Sequence, residues 1–501
     1  MIARTPPFGF KAWLLSAAAV LWLIGAVPAC AETLESALEA VYESSPTINA
    51  ERARLRATDE ELAKAQSGYR PQISMNADMG VASQNSLVRP PKTVTGVDPS
   101  PLAILQNETA FKRYDGDTNP SGLSLTVAQP LFDGFRTTNS VHEADASIMA
   151  ERENLRDIEQ RTLLDTVKAY MDVLRDAATV TLRKNSLRLL SYEANATQER
   201  FAAGEMTRTD VAQARAREAE AKASLELAKA NLRGSLANYQ RLVGHVPSRL
   251  TDPAGFERLL PTRLEDAVEA AVLRNPQVLQ AAFTEKASSY VVKKTLGEML
   301  PQVTLQASHN ERYNPTTVLD QQSIQSASVR VSFPLYQAGD VEARVRQAKQ
   351  QRQGRIQEIE GARELARAQA ISSFAQVQAM RAQVLAVRQQ VQATTESVAG
   401  VREEQKAGQR TLLDVLNAEQ EQTNAQVSAV NARHDLVVAA YTLLAVMGRL
   451  NAPELGLSGP LYDEQKHYAE INGKWGGLAI DRDAAYAGRN DGWATAVEPG
   501  Q

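Results

Sequence analysis

Cysteine is almost absent from the chain. Cys30 is the only one in 501 residues, and it lies in the apolar N-terminal stretch. Neither a disulfide within the chain nor a thiolate metal site is therefore expected. Aromatic residues make up only 5% of the sequence, and the formal net charge is -4. Because no basic patch is interleaved with aromatic residues, nucleic-acid binding is not expected either.

Motifs for catalysis are also missing. The sequence has no G-x-S-x-G elbow, no H-E-x-x-H and no phosphate-binding loop. Asp481, Asp483 and Asp491 lack the glycine placement of a calcium loop. We therefore expect no enzyme, no cofactor and no metal site. The histidines are scattered without ligand spacing: His142, His245, His309, His434 and His467.

Residues 1–31 are predicted to be a secretory signal peptide. Arg4 and Lys11 form its basic start, an apolar core follows, and Ala29-Cys30-Ala31 is an A-x-A cleavage site. An uncleaved membrane anchor is the alternative, but the apolar run is short for a membrane span. The residues before Cys30 loosely resemble a lipoprotein signal. Since Pro28 fits such a signal poorly, cleavage after Ala31 is expected.

Two tight turns interrupt long helical patterns in the same way. A glycine can close a helix in the left-handed conformation, and a threonine shortly after it can cap the next helix. The pattern therefore predicts the tips of two helical hairpins, and their common spacing indicates an internal duplication. The two matching sets are Gly204, Thr207 and Asp210, then Gly408, Thr411 and Asp414.

Other segments repeat in register with this duplication. Leu264–Ala267 echoes Leu34–Ala37, and Pro276 and Pro301 match Pro46 and Pro71. The duplication predicts four parts: the signal peptide 1–31, a first repeat 32–263, a second repeat 264–452, and a C-terminal equatorial segment and tail 453–501.

Alternating apolar and polar residues predict two strands in each repeat. Each strand would present one apolar and one polar face. The polar stretch 83–120 contains several prolines and is expected to be a long exposed loop. The predicted strands are about 71–82 and 121–132 in the first repeat, and about 301–313 and 325–336 in the second.

The remaining proline-free stretches predict very long helices. Residues 137–203 would form one helix of roughly 100 Å at 1.5 Å per residue. Val377, Val384, Val391 and Val398 recur every seven residues. Such a narrow apolar seam requires neighbouring helices along its whole length.

These elements predict that several copies of the chain assemble around a conducting channel. Four strands cannot close a membrane barrel, open sheet edges are not tolerated in hydrocarbon, and the smallest membrane barrels use eight strands. Three copies would supply twelve strands for an outer-membrane barrel, with the helices as a periplasmic tube beneath it. The alternative is a periplasmic coiled-coil scaffold without a pore, which leaves the strands and the signal peptide unexplained.

From residue 32 onward the chain resembles the TolC family of outer-membrane factors. The resemblance rests on the two Gly-x-x-Thr-x-x-Asp-Val tips and on the strand ends Pro130-Leu131-Phe132 and Pro334-Leu335-Tyr336. The ending from Tyr462 to Trp475 resembles TolC-like proteins of alphaproteobacteria. The resemblance implies a mixed α/β membrane protein: a homotrimer with a twelve-stranded outer-membrane β-barrel continuous with a twelve-helix periplasmic α-barrel.

The resemblance also implies partners and a location. The channel would lie in outer-membrane lipid and extend into the periplasm, where a periplasmic adaptor (membrane fusion protein) joins it to an inner-membrane transporter. It would serve drug efflux or type I protein secretion, and the sequence does not distinguish these cargoes.

The resemblance places a closing gate at the tips. Asp414 matches a pore-lining aspartate, and Asn417 stands where the family often has a second one. Three Asp414 carboxylates on one axis would attract cations and raise their own pKa, whereas the Asn417 amide would make cation selectivity milder. The alternative role of Asp210 and Asp414 is to complement a helix N-terminus.

A latch is implied beside this ring. Arg410 would bridge to Asp210 and Thr209 of the other hairpin and hold the tunnel shut, and Gln405 takes the position of a gate tyrosine. The turn residues Gly204, Thr207, Gly408 and Thr411 would also contact the adaptor.

Overall fold

The computed structural model describes residues 32–88, 112–317 and 319–478. The predicted signal peptide and the acidic residues near the C-terminal end lie outside these ranges. None of the helices within the described ranges combines the length and the apolarity needed to cross a membrane.

Two pairs of helices are far longer than the others. The helices are α1 (Leu34–Ser44), α2 (Pro46–Gln66), α3 (Arg136–Ala202), α4 (Arg208–Val243), α5 (Leu264–Arg274), α6 (Pro276–Gly297), α7 (Asp340–Lys406), α8 (Leu412–Val446) and α9 (Glu464–Ile471). The prediction of one helix over 137–203 is confirmed by α3. Within the heptad seam of α7, Val377 and Val398 are buried.

The strands form a four-stranded sheet and a separate two-stranded one. They are β1 (Gln72–Met79), β2 (Ala82–Val88), β3 (Lys112–Thr118), β4 (Ser121–Phe132), β5 (Gln302–Thr316) and β6 (Leu319–Ser332). By their contacts the residues divide into two compact units. The helical unit comprises residues up to 55, 149–285 and 353–462, and the strand-bearing unit comprises 56–148, 286–352 and 463 onward.

The core of the helical unit gathers side chains from six helices, among them α1, α3, α4 and α8. Leu38 of α1, Leu163 of α3, Tyr239 of α4 and Leu444 of α8 are all almost completely buried in one cluster. The start of α1 is fixed because Thr33 caps it and exchanges hydrogen bonds with Ser36. Truncating a core leucine of this kind to alanine costs about 2–5 kcal/mol.

Glu32 holds the N-terminal end of this unit in place. Its backbone N–H donates to the Arg249 carbonyl at 2.9 Å, and the Tyr170 hydroxyl donates to its carbonyl oxygen at 2.9 Å. Its carboxylate accepts from the Tyr239 hydroxyl and lies 3.0 Å from His245 Nε2. Burial, reinforced by the hydrogen bond to Glu32, raises the pKa of Tyr239. The first described residue is thus bound through both its backbone and its side chain.

Helix α8 ends against the turn between α5 and α6. Gly448, just past α8, has φ +70°, and a Cβ added there would lie 2.2 Å from the Arg274 carbonyl oxygen. The Asn275 side-chain amide donates to the Val446 carbonyl at 3.0 Å. The position requires glycine for two reasons, the left-handed backbone and the close approach of another backbone.

The four-stranded sheet has the order β1-β4-β5-β6, with every neighbouring pair antiparallel. In register, Met75 pairs with Leu125, and Leu305 pairs with Val329. Across the middle pair of strands, Leu125 pairs with His309, which lies an even number of residues from Leu305. Because side chains alternate between the two faces along a strand, all four side chains lie on one face. The other face carries serine, threonine, asparagine and glutamine. The apolar side chains are exposed in the single chain, so this face lacks the cover that a water-soluble protein would give it.

The expected loop over 83–120 is wrong in part. Residues 82–88 pair in register with 112–118 as the antiparallel strands β2 and β3, and residues 89–111 lie outside the described ranges. The prediction failed because it required apolar alternation. A hairpin with two solvated faces needs only backbone pairing, so polar side chains do not oppose it.

Candidate functional site at the hairpin tips

The first tip joins α3 to α4. Gly204 takes φ +83°, which ends α3, and Thr207 is the N-cap of α4. The Thr207 backbone N–H donates to Asp210 Oδ2 at 2.9 Å, and the Asp210 N–H donates back to Thr207 Oγ1 at 3.2 Å. This reciprocal pair is a capping box with aspartate in the place of the usual glutamate.

The second tip has the same construction between α7 and α8. Gly408 takes φ +77°, and Thr411 is the N-cap. The Thr411 backbone N–H and hydroxyl both donate to Asp414 Oδ2, at 3.0 and 2.8 Å. The same carboxylate oxygen therefore takes both hydrogen bonds, which fixes the orientation of the Asp414 side chain.

Both tip aspartates are better acids than usual. The pKa of Asp210 is lowered by the hydrogen bonds from the Thr207 hydroxyl and backbone N–H. The pKa of Asp414 is lowered by the backbone N–H and hydroxyl of Thr411, with a smaller contribution from the charge of Arg410. In the single chain both carboxylates act as helix caps. This is the role that the sequence allows as the alternative to a gate.

Arg410 pairs within its own hairpin. Its Nε lies 2.9 Å from Glu404 Oε2, and this hydrogen bond, followed by the charge of Glu404, raises its pKa. Within one chain, then, Arg410 is bound to Glu404, while Asp210 is bound to Thr207. Thr209 is exposed, and Gln405 accepts the Gly408 N–H through its backbone carbonyl.

The two hairpins meet through Arg217 and Asn417. Arg217 Nη2, on α4, donates to Asn417 Oδ1, on α8, at 2.9 Å, and Arg217 also pairs with Glu220 at 2.9 Å. Asn417 was predicted as a ring residue, but Arg217 was not singled out from the sequence. Arg217 and Asn417 do not occupy equivalent positions in the two repeats, so the duplication gave no signal for this pair.

An apolar cluster packs the hairpins together near the tips. Its members are three alanines and three leucines, and the small alanine side chains allow the helices to approach closely. They come from three helices: Leu190 and Ala194 of α3, Ala214 and Ala221 of α4, and Leu412 and Leu416 of α8.

A buried carboxylate lies one helical turn beyond Leu416. Glu419 is only 3% exposed, and its Oε1 accepts from Arg402 Nη2 at 2.6 Å and from Nε at 3.2 Å. Burial raises the pKa of Glu419, and Arg402 partly opposes the rise. Nothing in the sequence pattern identified this pair, because the two residues lie on opposite sides of the tip.

A second charged cluster joins α3 to α8 away from the tips. His434 Nε2 lies 3.0 Å from Asp172, its Nδ1 lies 2.9 Å from Asp435, and Arg175 pairs with Asp172 at 2.9 Å. Burial alone would lower the pKa of His434, but the hydrogen bonds to the two aspartates outweigh it, so the pKa is raised. The cluster borders a cavity of about 370 Å³ that Arg433 also lines.

Asp172 shows the opposite balance. Burial would raise its pKa, but the hydrogen bond from His434 and the charge of Arg175 outweigh burial, so its pKa is lowered. The imidazolium and the carboxylate therefore stabilise each other's charged forms. Across the described ranges, no group of three or more His, Cys, Asp or Glu side chains is arranged to hold a metal ion.

Comparison with known proteins places this arrangement among outer-membrane proteins. The model of a family described as outer membrane efflux protein matches residues 37–245 and 267–449. The outer membrane efflux protein BepC of Brucella suis is 37% identical over 475 residues, covering 94% of this chain and 98% of that protein.

More distant relatives match over shorter spans. The outer membrane protein TolC of Escherichia coli is 23% identical, covering 85% of this chain and 84% of that protein. The alkaline protease secretion protein AprF of Pseudomonas aeruginosa is 26% identical, covering 69% of this chain and 73% of that protein. Among solved structures, the CmeC outer membrane channel of Campylobacter jejuni matches with a TM-score of 0.69 at 14% identity, covering 87% of this chain and 89% of that one.

Proposed function

The chain belongs to the outer membrane efflux protein family, and on that premise we propose that three copies of it enclose one conduit across the outer membrane and into the periplasm. The chain is an outer-membrane channel protein of the efflux and secretion class, and its predicted resemblance to the TolC family is confirmed. We propose no catalytic role for it.

The open edges of the sheet carry the proposal of a trimer. Among the described residues, no strand pairs with the outer edge of β1 or with that of β6. A hydrocarbon environment does not tolerate such edges. Because the strands alternate in direction from β1 to β6, the β6 of one copy can pair antiparallel with the β1 of the next. Three copies would close a barrel of twelve strands, above the minimum of eight.

The two faces of the sheet support the same reading. In a closed barrel the exposed apolar face would meet lipid, and the polar face would line the conduit. The two helical hairpins of each copy would supply a twelve-helix tunnel, so the division into repeats 32–263 and 264–452 would reflect two equivalent contributions to one ring.

We propose that the tips close this tunnel and receive the partner proteins. Three Asp414 carboxylates would form a ring, with the Asn417 amides beside it. Arg410 would reach Asp210 and Thr209 across an interface between copies. Gly204, Thr207, Gly408 and Thr411 would present the turns to a periplasmic adaptor, which connects the channel to an inner-membrane transporter.

Two cargo classes remain within this proposal. BepC is named as an efflux protein and AprF as a protease secretion protein. We propose that the inner-membrane partner selects the cargo. A deletion strain would be tested in parallel for drug sensitivity and for proteins missing from the culture medium.

Block of a reconstituted channel by a trivalent cation tests the Asp414 ring. Asp414→Asn should sharply reduce block by hexamminecobalt(III) in planar bilayers, because three negative charges leave one axis. Thr411→Ala is the control, since it removes a hydroxyl of the same helix cap and leaves the Asp414 charge in place. If Asp414→Asn keeps full block, or if Thr411→Ala loses it equally, Asp414 acts only as a helix cap and the ring is excluded.

A further inference from the structure

The C-terminal segment lies along α2 and runs toward the four-stranded sheet. His467 Nδ1, on α9, lies 3.1 Å from Asp59 Oδ2. Further along, Gln66 Nε2 donates to Asn472 Oδ1 at 2.9 Å, and Gln66 Oε1 accepts from the Gly473 N–H at 3.2 Å. Residue numbers rise along both segments from one contact to the next, so the C-terminal segment runs parallel to α2.

The last contact of this series places an indole at the edge of the sheet. The guanidinium of Arg70 lies 4.9 Å from the centre of the Trp475 ring. Arg70 stands two residues before Gln72, the first residue of β1. The Tyr468 hydroxyl also donates to Asp145 Oδ1 at 2.9 Å, which ties α9 to α3. Trp475 is thus positioned by a docked segment.

The same edge of the sheet carries further aromatic side chains. This edge runs across the strand ends: the pairing places the start of β1, the end of β4, the start of β5 and the end of β6 side by side. Tyr69, Phe135, Phe333 and Tyr336 follow or precede these strand ends, and all four are exposed. Trp475 is itself 73% exposed, although tryptophan usually buries most of its ring.

Exposed tryptophan and tyrosine beside basic residues are typical of a membrane–water interface. There the ring contacts the upper acyl region while its N–H or O–H reaches water, and nearby lysine and arginine reach the headgroups. Arg70 and Lys474 supply the positive charge here. A contact with another copy of the chain would favour an apolar patch, whereas a guanidinium lies over this indole and a lysine precedes it in sequence.

We propose that Trp475 and Lys474 form an interfacial anchor, which binds the phospholipid headgroup layer of the outer membrane at the edge of the sheet next to α2. The inference rests on the proposed function, because it requires the strands to lie in the bilayer. It gives the C-terminal segment a role: the contacts with α2 hold the indole at the level where the strands enter lipid.

Fluorescence of Trp475 in vesicles tests the anchor. The tryptophans of the chain are Trp13, Trp22, Trp475 and Trp493, and the first two fall in the predicted signal peptide. The full-length protein with Trp493→Phe therefore reports Trp475 alone after processing. It is reconstituted into phosphatidylethanolamine–phosphatidylglycerol vesicles that carry a nitroxide either on the headgroup or deep on the acyl chain, and iodide is the aqueous quencher.

The headgroup nitroxide should quench Trp475 more strongly than the deep one, and iodide should quench it weakly. Lys474→Glu should reduce headgroup quenching at least about twofold, because anionic headgroups attract the ammonium and repel a carboxylate. Lys466→Glu, which makes the same charge change on α9, is the matched control and should leave quenching unchanged.

Two results would overturn the anchor. Free quenching by iodide would mean that the indole faces water, and shielding from both iodide and lipid nitroxides would mean that protein covers it. If the protein fails to float with the vesicles at all, the proposed function fails instead. Flotation without lipid quenching therefore rejects the anchor alone.

Discussion

Arg217 and Asn417 lie 200 residues apart in sequence, and Arg217 Nη2 donates to Asn417 Oδ1 at 2.9 Å. This hydrogen bond joins α4 of the first hairpin to α8 of the second, close to both tips. A neutral amide is the partner of a guanidinium that is already paired with Glu220. The proposed ring position is therefore also part of the contact between the two hairpins of one chain.

Arg217→Ala should weaken the contact between the two hairpins near the proposed gate. Loss of one hydrogen bond to a charged group, partly exposed, should cost about 1 kcal/mol per chain, which corresponds to about a fivefold change in an equilibrium constant. Single-channel conductance in planar bilayers should rise. Arg215→Ala is the control, because Arg215 donates to Gln198 within its own hairpin. Equal conductance changes in the two variants would contradict this role for Arg217.

Arg410→Ala and Asp210→Ala should both raise conductance if the latch forms between copies, and the double variant should add little to either. Glu404→Ala should not raise it, because it only releases Arg410 from its partner within the chain. Thr207→Ala controls for lost capping at the first tip, at about 1 kcal/mol. Unchanged conductance in both single variants would show that this bridge does not close the tunnel.

Gly448→Ala should destabilise the protein far more than Gly244→Ala. Both glycines follow a long helix with positive φ, +70° and +94°. A Cβ at position 244 meets no atom within 4 Å, whereas at 448 it would lie 2.2 Å from the Arg274 carbonyl oxygen. We expect a cost of about 1 kcal/mol at position 244, and about 3 kcal/mol or more at position 448. Melting midpoints in detergent measure the difference, and equal midpoints would contradict it.

His434 should make stability depend on pH. Its folded-state pKa is raised, so its contribution is fully present below the unfolded-state pKa and is lost as pH rises through the folded-state value. The pKa of Asp172 is lowered, so its contribution is present above its unfolded-state pKa and is lost only as pH falls through the folded-state value. The pair should therefore be strongest in mildly acidic solution.

The wild-type protein should lose about 1 kcal/mol from this pair between about pH 6 and about pH 9. His434→Gln, which keeps hydrogen-bonding capacity without the charge, should show a flatter melting profile over that range. Asp435, Arg175, Arg433 and Asp252 also face this cluster or its cavity and stay unchanged in the variant. His142→Gln is the control, and an equal flattening there would contradict the assignment to His434.

Local sequence patterns were sufficient for the long helices and the turns. The absence of proline predicted α3 to within one residue at each end, and the Gly-x-x-Thr spacing predicted both N-caps. These features depend on residues within one helical turn of each other. The polar hairpin β2–β3 was missed because no apolar face marked it.

Contacts between distant segments could not be predicted in the same way. The pairing of Arg217 with Asn417 depends on how two helices lie side by side, which the spacing within either helix does not fix. The contact between Trp475 and Arg70 is a similar case, since no local pattern in either segment predicts that the other lies beside it. For Asp414 the sequence left two roles open, and the hydrogen bonds of Thr411 establish the cap within one chain.

The bound state of Glu32 has a practical consequence for producing the protein. Its backbone N–H donates to Arg249 and its carbonyl accepts from Tyr170, so a purification tag joined directly before it would compete with these two hydrogen bonds. A flexible spacer between the tag and Glu32 would leave both of them in place.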